Sequence, residues 1–440
     1  MINKYLYPPF SRTPCYLQWI GIFALFLYGG GQFLAPPVGG TAESVTALLG
    51  LGAVLVYGKG GRRSEALWLL LLVIAVQCLS WWLGYIHHPD WVTKNPQIDR
   101  LAKLFIFIGV AWCLGGSTRL TLWLWLLAAL GYIASTFIHG GGWHEWLAGF
   151  QGHRAGFGVR NGQHGAMLFG VLLLGSLVFA LRFLSPGPWR ILRCLLWILL
   201  VAFGTAGVLI GQTRAVWLAL ILALLLATGI WFCFTAKRHS QRRALFRLAV
   251  CIVLVAMTGL ACIWIFHDLL IARITKESQV IALLVEGDIQ NIPYSSIGIR
   301  IHSWVAAWQW ILERPIVGWG EEGRSLVIQH TDWIPISVKQ NFGHLHNYFI
   351  EIWVAYGLLG ILAIGALAAW VGLATWRAWK SGAMPDDMAL FGVAFFIYWM
   401  IVNQFESYNS FWTGVFVHNI IVGGLVTHYW RLNDGGYKPD

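Results

Sequence analysis

Apolar runs of about twenty residues, separated by short polar connections, set the pattern of this chain. They lie near 17–35, 42–58, 66–86, 101–117, 119–138, 163–184, 191–210, 213–235, 246–267, 357–376, 387–404 and 411–429. Each is long enough to cross a bilayer as a helix. The pattern predicts an all-α integral membrane protein with about twelve transmembrane helices.

One hydrophilic stretch interrupts the rhythm. Between the ninth and tenth runs, residues 268–345 form a single long loop, and loops of that length usually carry function. No repeat and no Ser- or Pro-rich linker divides the chain, so residues 1–440 read as one polytopic domain with this loop inside it. Within the loop, Ile297, Ile301, Trp304, Val305, Trp308, Ile311 and Leu312 recur at three- and four-residue spacing. That spacing predicts a helix over 296–314, stopped by Pro315 and lying on the membrane surface or against the bundle. Arg300 sits at the edge of its apolar stripe. A second polar connection, 139–162, holds Gly152, Arg154, Gly156 and Gly158, glycine-rich backbone that either approaches a ligand or simply connects two spans.

Composition supports the membrane reading. The 440 residues are 58% hydrophobic and only 11% charged, with 27 Trp, against about a quarter charged in soluble domains. The net charge of +11 follows from topology rather than from nucleic-acid binding. With the N-terminus inside, Lys59, Arg62, Arg63, Arg119, Arg182, Arg190, Arg193, Lys237, Arg238, Arg242, Arg243, Arg247, Arg377 and Lys380 all fall on the cytoplasmic side. The cysteines, most of them inside apolar runs (Cys78, Cys113, Cys194, Cys251, Cys262), lack metal-binding spacing and read as small buried apolar residues. The first run lacks a small-residue cleavage site and is expected to remain as an anchor.

Candidate chemistry gathers on the other side. Gln212-Thr213-Arg214 forms a short turn between two spans, where an arginine either snorkels to the interface or meets an anion. Arg154, Arg214 and Arg300 share that outer side with Gly343-His344-Leu345-His346-Asn347. Guanidinium forks suit phosphate oxygens, so this grouping suits the diphosphate of a loaded lipid carrier. A glycosyl diphosphate is already activated and needs a base for the acceptor hydroxyl, a role matched to imidazole. His346 fits that role, with Asn347 to orient it or hold a sugar hydroxyl. His344 is the rival base, and a histidine capping the next helix is the structural alternative. No Asp-x-Asp pair occurs and the carboxylates do not cluster like hard-metal ligands, so no metal and no cofactor is expected.

These residues resemble the O-antigen ligase and polymerase superfamily of bacterial envelope glycan assembly. The resemblance runs through Gln212-Thr213-Arg214, then Arg300 and the helix ending Glu313-Arg314-Pro315-Ile316-Val317-Gly318-Trp319-Gly320, then His346-Asn347-x-x-Ile350 and Gly357-Leu358-Leu359-Gly360. It covers roughly the second half of the chain. One departure is that the family's acidic residue two places before the glycine is Ala355 here, with Glu351 one helical turn earlier.

The resemblance implies a membrane glycosyltransferase C-like fold. It implies a multi-pass protein of the bacterial inner membrane that takes glycan from undecaprenyl diphosphate at the periplasmic face. Arg214 and Arg300, with Gln212, would bind the donor, His346 would activate the acceptor, and Asn347 and Glu351 would stand on the acceptor or orienting side. Arg154 joins the donor side from topology and charge alone. An O-antigen ligase, with lipid A–core as acceptor and membrane lipids around it, is the expected function, because one long loop dominates late in the chain. The alternative within the superfamily is a polymerase. A transporter, from a different class, would place its charges near the bilayer midplane on broken helices; here they gather at the outer edge.

Overall fold

Polar punctuation sets where the helices begin. Side chains of Ser64, Ser117, Asn161, Ser295 and Asn347 accept backbone N–H groups of the first turns that follow them, and Pro36 and Pro37 open another helix. The structure is a computed structural model that describes residues 13–58, 61–238 and 278–433. In chain order the helices are α1 Cys15–Leu34, α2 Pro36–Tyr57, α3 Glu65–His87, α4 Asp99–Ala102, α5 Phe107–Leu114, α6 Thr118–Ile138, α7 Trp143–Phe150, α8 Gly162–Val178 and α9 Ala180–Leu184. There follow α10 Arg190–Ile210, α11 Arg214–Arg238, α12 Ser278–Glu286, α13 Ser296–Glu313, α14 Gly323–His330, α15 Ile336–Asn341, α16 Tyr348–Lys380, α17 Asp386–Val402 and α18 Trp412–Asn433. No strand occurs among the described residues.

Seven of these helices, α1, α2, α3, α6, α10, α11 and α16, are long and apolar enough to cross a membrane, and α8 is apolar but shorter. The chain is an all-helical integral membrane protein. The span expected at 246–267, with Cys251, Cys262 and the basic cluster Arg242, Arg243 and Arg247, lies outside the described residues.

Helix α18 is the axis of the bundle. It is buried from Thr413 to Trp430 and packs against α5, α16, α6 and α17. Two of its polar side chains, Asn419 and His418, find partners there, where an unmatched polar group costs several kcal/mol, roughly 2–7. Asn419 Oδ1 accepts the Phe107 N–H (2.7 Å), its Nδ2 donates to Lys103 O (2.8 Å), and His418 Nε2 lies 3.1 Å from Leu104 O. These contacts fall where the 99–114 segment loosens into a 3₁₀ turn at Lys103–Phe105. The single continuous span expected at 101–117 is therefore replaced by α4 and α5, a helix broken by the side chains of its neighbour.

Residues 278–345 fold into α12 to α15, and Ala306, Ala307, Trp310, Ile311, Leu326, Val327 and Val338 form a second apolar core together with Val354 of α16. Helix α13 matches the spacing read from Ile297 to Leu312 and ends before Pro315. Its apolar face packs on α14 and α16, against the bundle.

Beyond α13, Pro315 to Gly320 lies along α16 at its kink. Gly357 has φ +63° and ψ −161°, which opens the helix. Four backbone hydrogen bonds fill the gap: Trp319 N–H to Val354 O and Gly320 N–H to Ala355 O (2.9 Å each), Leu358 N–H to Pro315 O (2.8 Å) and Leu359 N–H to Ile316 O (3.1 Å). A Cβ on Gly357 would stand 2.2 Å from the carbonyl of Ile316, so only glycine meets both the backbone angle and the close approach. Gly357→Ala is expected to cost roughly 2–4 kcal/mol of stability through strain and collision. Thermal unfolding of the purified variant checks this, and an unchanged midpoint would show that the contact is dispensable.

Candidate active site

The polar residues converge where α6, α10 and α17 end and α8, α11, α16 and α18 begin. Asn347 makes this possible locally. Its Oδ1 accepts the Phe349 and Ile350 N–H groups (3.0 and 3.2 Å), which starts α16, and its Nδ2 donates to Gln404 Oε1 (3.2 Å). The next residue, Tyr348, donates its N–H to Asn403 O (2.9 Å), so the histidine loop is tied to the connection between α17 and α18. The cap of this helix is Asn347 rather than a histidine.

That connection supplies the central carboxylate. Glu406 is fully buried; its Oε2 lies 2.9 Å from His346 Nδ1 and its Oε1 lies 3.1 Å from His344 Nε2. The Ser407 N–H also donates to Oε1 (3.0 Å). An ionised carboxylate only accepts, so the two ring nitrogens facing it carry the protons. In the neutral rings this leaves His346 Nε2 and His344 Nδ1 with lone pairs.

Electrostatics favour that assignment. Burial alone would raise the Glu406 pKa, but the hydrogen bonds from His344 and His346 outweigh it and hold the carboxyl well below its usual range. Burial lowers the His346 pKa, the bond to Glu406 opposes this, and the charges of His344 and Arg300 add to the lowering. The site therefore holds a negative Glu406 beside a neutral His346. His346 also has φ +53°, a left-handed backbone that is uncommon outside glycine, as does Gln212 at φ +47°.

Glu351 braces the same loop from beneath. It is 2% exposed, accepts the Leu345 N–H (3.0 Å) and the Ser410 hydroxyl (3.1 Å), and faces Arg324 Nη1 at 3.5 Å. Its bonds go to protein groups.

The arginines stand in two neighbouring groups. Arg300, on α13, donates from Nη2 to Gln163 Oε1 (3.1 Å), and its charge acts on His346 and Tyr408. Arg154 donates to Gly211 O and Thr213 Oγ1 (3.1 Å each), while Gln212 Nε2 donates to Gly152 O (2.8 Å). The 152–154 segment and the 211–213 turn thus clasp each other, with Arg214 half-buried at the start of α11.

Four groups near the site were not picked out by sequence reasoning: Glu406, Gln163, Arg160 and Arg324. Arg160 lies 3.7 Å above the Phe411 ring and Arg324 lies 5.7 Å from it, with His344 packed on the same ring at 5.4 Å. The signal for Glu406 was its being the one carboxylate between the last two apolar runs.

His344, His346 and Glu406 also form a set of donors all within 4.8 Å of one another, close enough to hold one cation. Two imidazoles and a carboxylate suit a transition metal such as zinc. In the present geometry the nitrogens instead face the carboxylate at hydrogen-bond distance, so binding an ion would require the three side chains to turn toward a common centre.

Residues 198–365 match the family model described as O-antigen ligase. The match takes in Gln212, Arg214, Arg300, His344, His346, Asn347 and Glu351, and ends before Glu406. No curated protein matches the chain.

Because Asn347 serves as a cap, Asn347→Ala is expected to cost about 1–2 kcal/mol of stability and to loosen the histidine loop. A fall in the thermal midpoint with donor binding retained is the expected result. Full stability in the variant would mean that its side chain is held for substrate instead.

Proposed function

We propose that this member of the O-antigen ligase superfamily is an O-antigen ligase, which moves glycan from undecaprenyl diphosphate to a sugar hydroxyl of the lipid A–core at the periplasmic face of the inner membrane. The match over residues 198–365 supports a glycan-transferring enzyme of the ligase or polymerase class. The observation that carries the mechanism is the Glu406–His346 pair, with His346 Nε2 left as an acceptor and Arg300 close enough to act on the ring.

In the proposed step the acceptor oxygen attacks C1 of the donor sugar as the bond from C1 to the diphosphate oxygen breaks. The acceptor proton passes to His346 Nε2. Glu406 accepts the Nδ1–H bond throughout and stabilises the imidazolium that forms, the orienting role a carboxylate plays beside a catalytic histidine. Undecaprenyl diphosphate leaves with the bonding electrons, its charge met by Arg300, Arg214 and Arg154. The proton then returns to solvent or to the departing diphosphate. Direct attack inverts C1.

One extended outer segment, 278–345, favours the ligase over the polymerase reading. Reconstitution separates them: purified protein, undecaprenyl-diphosphate-linked O-glycan and lipid A–core, with and without chelator. Glycan-bearing lipid A–core in the presence of chelator supports the proposal. Growth of the lipid-linked glycan alone would favour a polymerase, and loss of transfer with chelator would assign His344, His346 and Glu406 to a metal.

His346→Ala is expected to slow transfer by roughly 10²–10⁴-fold with donor binding retained. The wild-type rate needs the neutral imidazole, so it is full at high pH and falls as pH drops through the lowered His346 pKa. Glu406→Gln removes the bond that raises that pKa. It should therefore shift the acid limb to lower pH as well as slow the reaction; an unmoved limb would reduce Glu406 to a structural support.

A further inference from the structure

The end of the bundle away from the site holds a second feature with its own chemistry. An apolar cavity of about 390 Å³ lies between α6 and the α8–α10 pair, floored by α17 and α18. Its inner end is closed by Phe33, Tyr132 and Leu168, and its mouth carries Arg119, Arg182 and Arg193. The volume is that of a small-molecule site, which commonly runs from about 300 to 1,000 Å³.

Charge at the mouth is one-sided. No acidic side chain lines the cavity among the described residues. Arg182 is matched by Asp387 through a two-pronged pair, with Nη2 to Oδ1 at 2.7 Å. Arg193 is pinned by Nη1 to the Arg182 carbonyl and the Ser185 hydroxyl (3.1 and 3.2 Å) and by Nη2 to Ser185 O (2.7 Å). This fixes the guanidinium so that its Nε–H is buried with no hydrogen-bond partner. A buried charged donor left unmatched is unfavourable, which points to an acceptor that the described residues do not supply.

We propose that this groove binds an anionic phospholipid, with an acyl chain between α6 and α8 and its phosphate on Arg193 and Arg119. Basic pockets between transmembrane helices at the positively charged end of a bundle recognise anionic headgroups. A prenyl chain of the donor would fill the apolar part equally well but would leave the Arg193 Nε–H unmatched, because on the proposed function its diphosphate belongs at the opposite end. The lipid seals a cleft that opens beside the helices carrying the site: Tyr132 donates from its hydroxyl to Gly165 O (3.1 Å), two residues from the Gln163 that holds Arg300.

The test uses full-length protein, delipidated in detergent and offered phosphatidylglycerol or phosphatidylethanolamine, with retention read by native mass spectrometry. Phosphatidylglycerol should be retained in preference to phosphatidylethanolamine. The double variant Arg119→Ala/Arg193→Gln should bind it about ten- to a hundredfold more weakly, as loss of charge-assisted contacts predicts. Gly175→Leu, which narrows the groove without touching the 182–193 turn, should also release it. Equal retention of the two lipids, retention of phosphatidylglycerol by either variant, or its displacement by undecaprenyl diphosphate would overturn the proposal.

Discussion

The backbone of Pro315–Gly320 completes the backbone of α16 where that helix opens at Gly357, and the position of the site depends on this exchange. A helix broken inside a bundle exposes peptide groups that lipid does not satisfy, each at a cost of about 1–3 kcal/mol. Here the missing partners come from the segment that follows α13, with Ser80 Oγ adding bonds to Ala355 O (2.8 Å) and from the Gly320 N–H (3.1 Å). The contact fixes α13, and with it Arg300, to the helix that the His344–His346 loop leads into. Arg300 and the two histidines thus share one rigid frame, although Arg300 lies 46 residues from His346 and 44 from His344 in the chain.

Two buried carboxylates then define the histidine loop, and they do so differently. Glu351 spends its oxygens on the Leu345 N–H, the Ser410 hydroxyl and Arg324, which fixes backbone. Glu406 spends its oxygens on both imidazoles, which fixes tautomer and ring direction. Held from both sides, the loop sustains a left-handed residue at His346, a cost of order 1–3 kcal/mol that persists only where the surroundings over-determine it. The arrangement keeps an uncharged imidazole beside the charge of Arg300. A mobile loop would let a protonated histidine move toward Glu406 and lose the open nitrogen.

Much of this was legible in the sequence, and the exceptions share a cause. The three- and four-residue spacing gave α13 almost to the residue, since a face packed against α14 and α16 leaves its period in the chain. The apolar runs marked α1, α3, α6, α10 and α11 for the same reason. The break between α4 and α5 left no such trace, because it is made by Asn419 and His418 more than three hundred residues away. Glu406 escaped notice for a related reason: it carries no motif, and its meaning appears only when the 403–410 connection meets the histidine loop. Asn347 shows the reverse. A residue read as a substrate or orienting group is occupied by capping α16 and by Gln404, bonds that follow from its place before a helix.

The broken helix also bears on the choice between enzyme and transporter. Transporters use interrupted helices to leave backbone groups free near the midplane for substrate and ions. In α4–α5 the freed groups are taken: Phe107 N–H, Lys103 O and Leu104 O all bond to side chains of α18. At the kink of α16 the openings are filled by Pro315–Gly320. Both interruptions therefore act as joints that lock elements together. His344 and His346, whose outward ring nitrogens keep lone pairs, lie instead at one end of the bundle. That division, with joints locked within the bundle and acceptor nitrogens at its end, suits a transferase acting on a lipid-linked substrate.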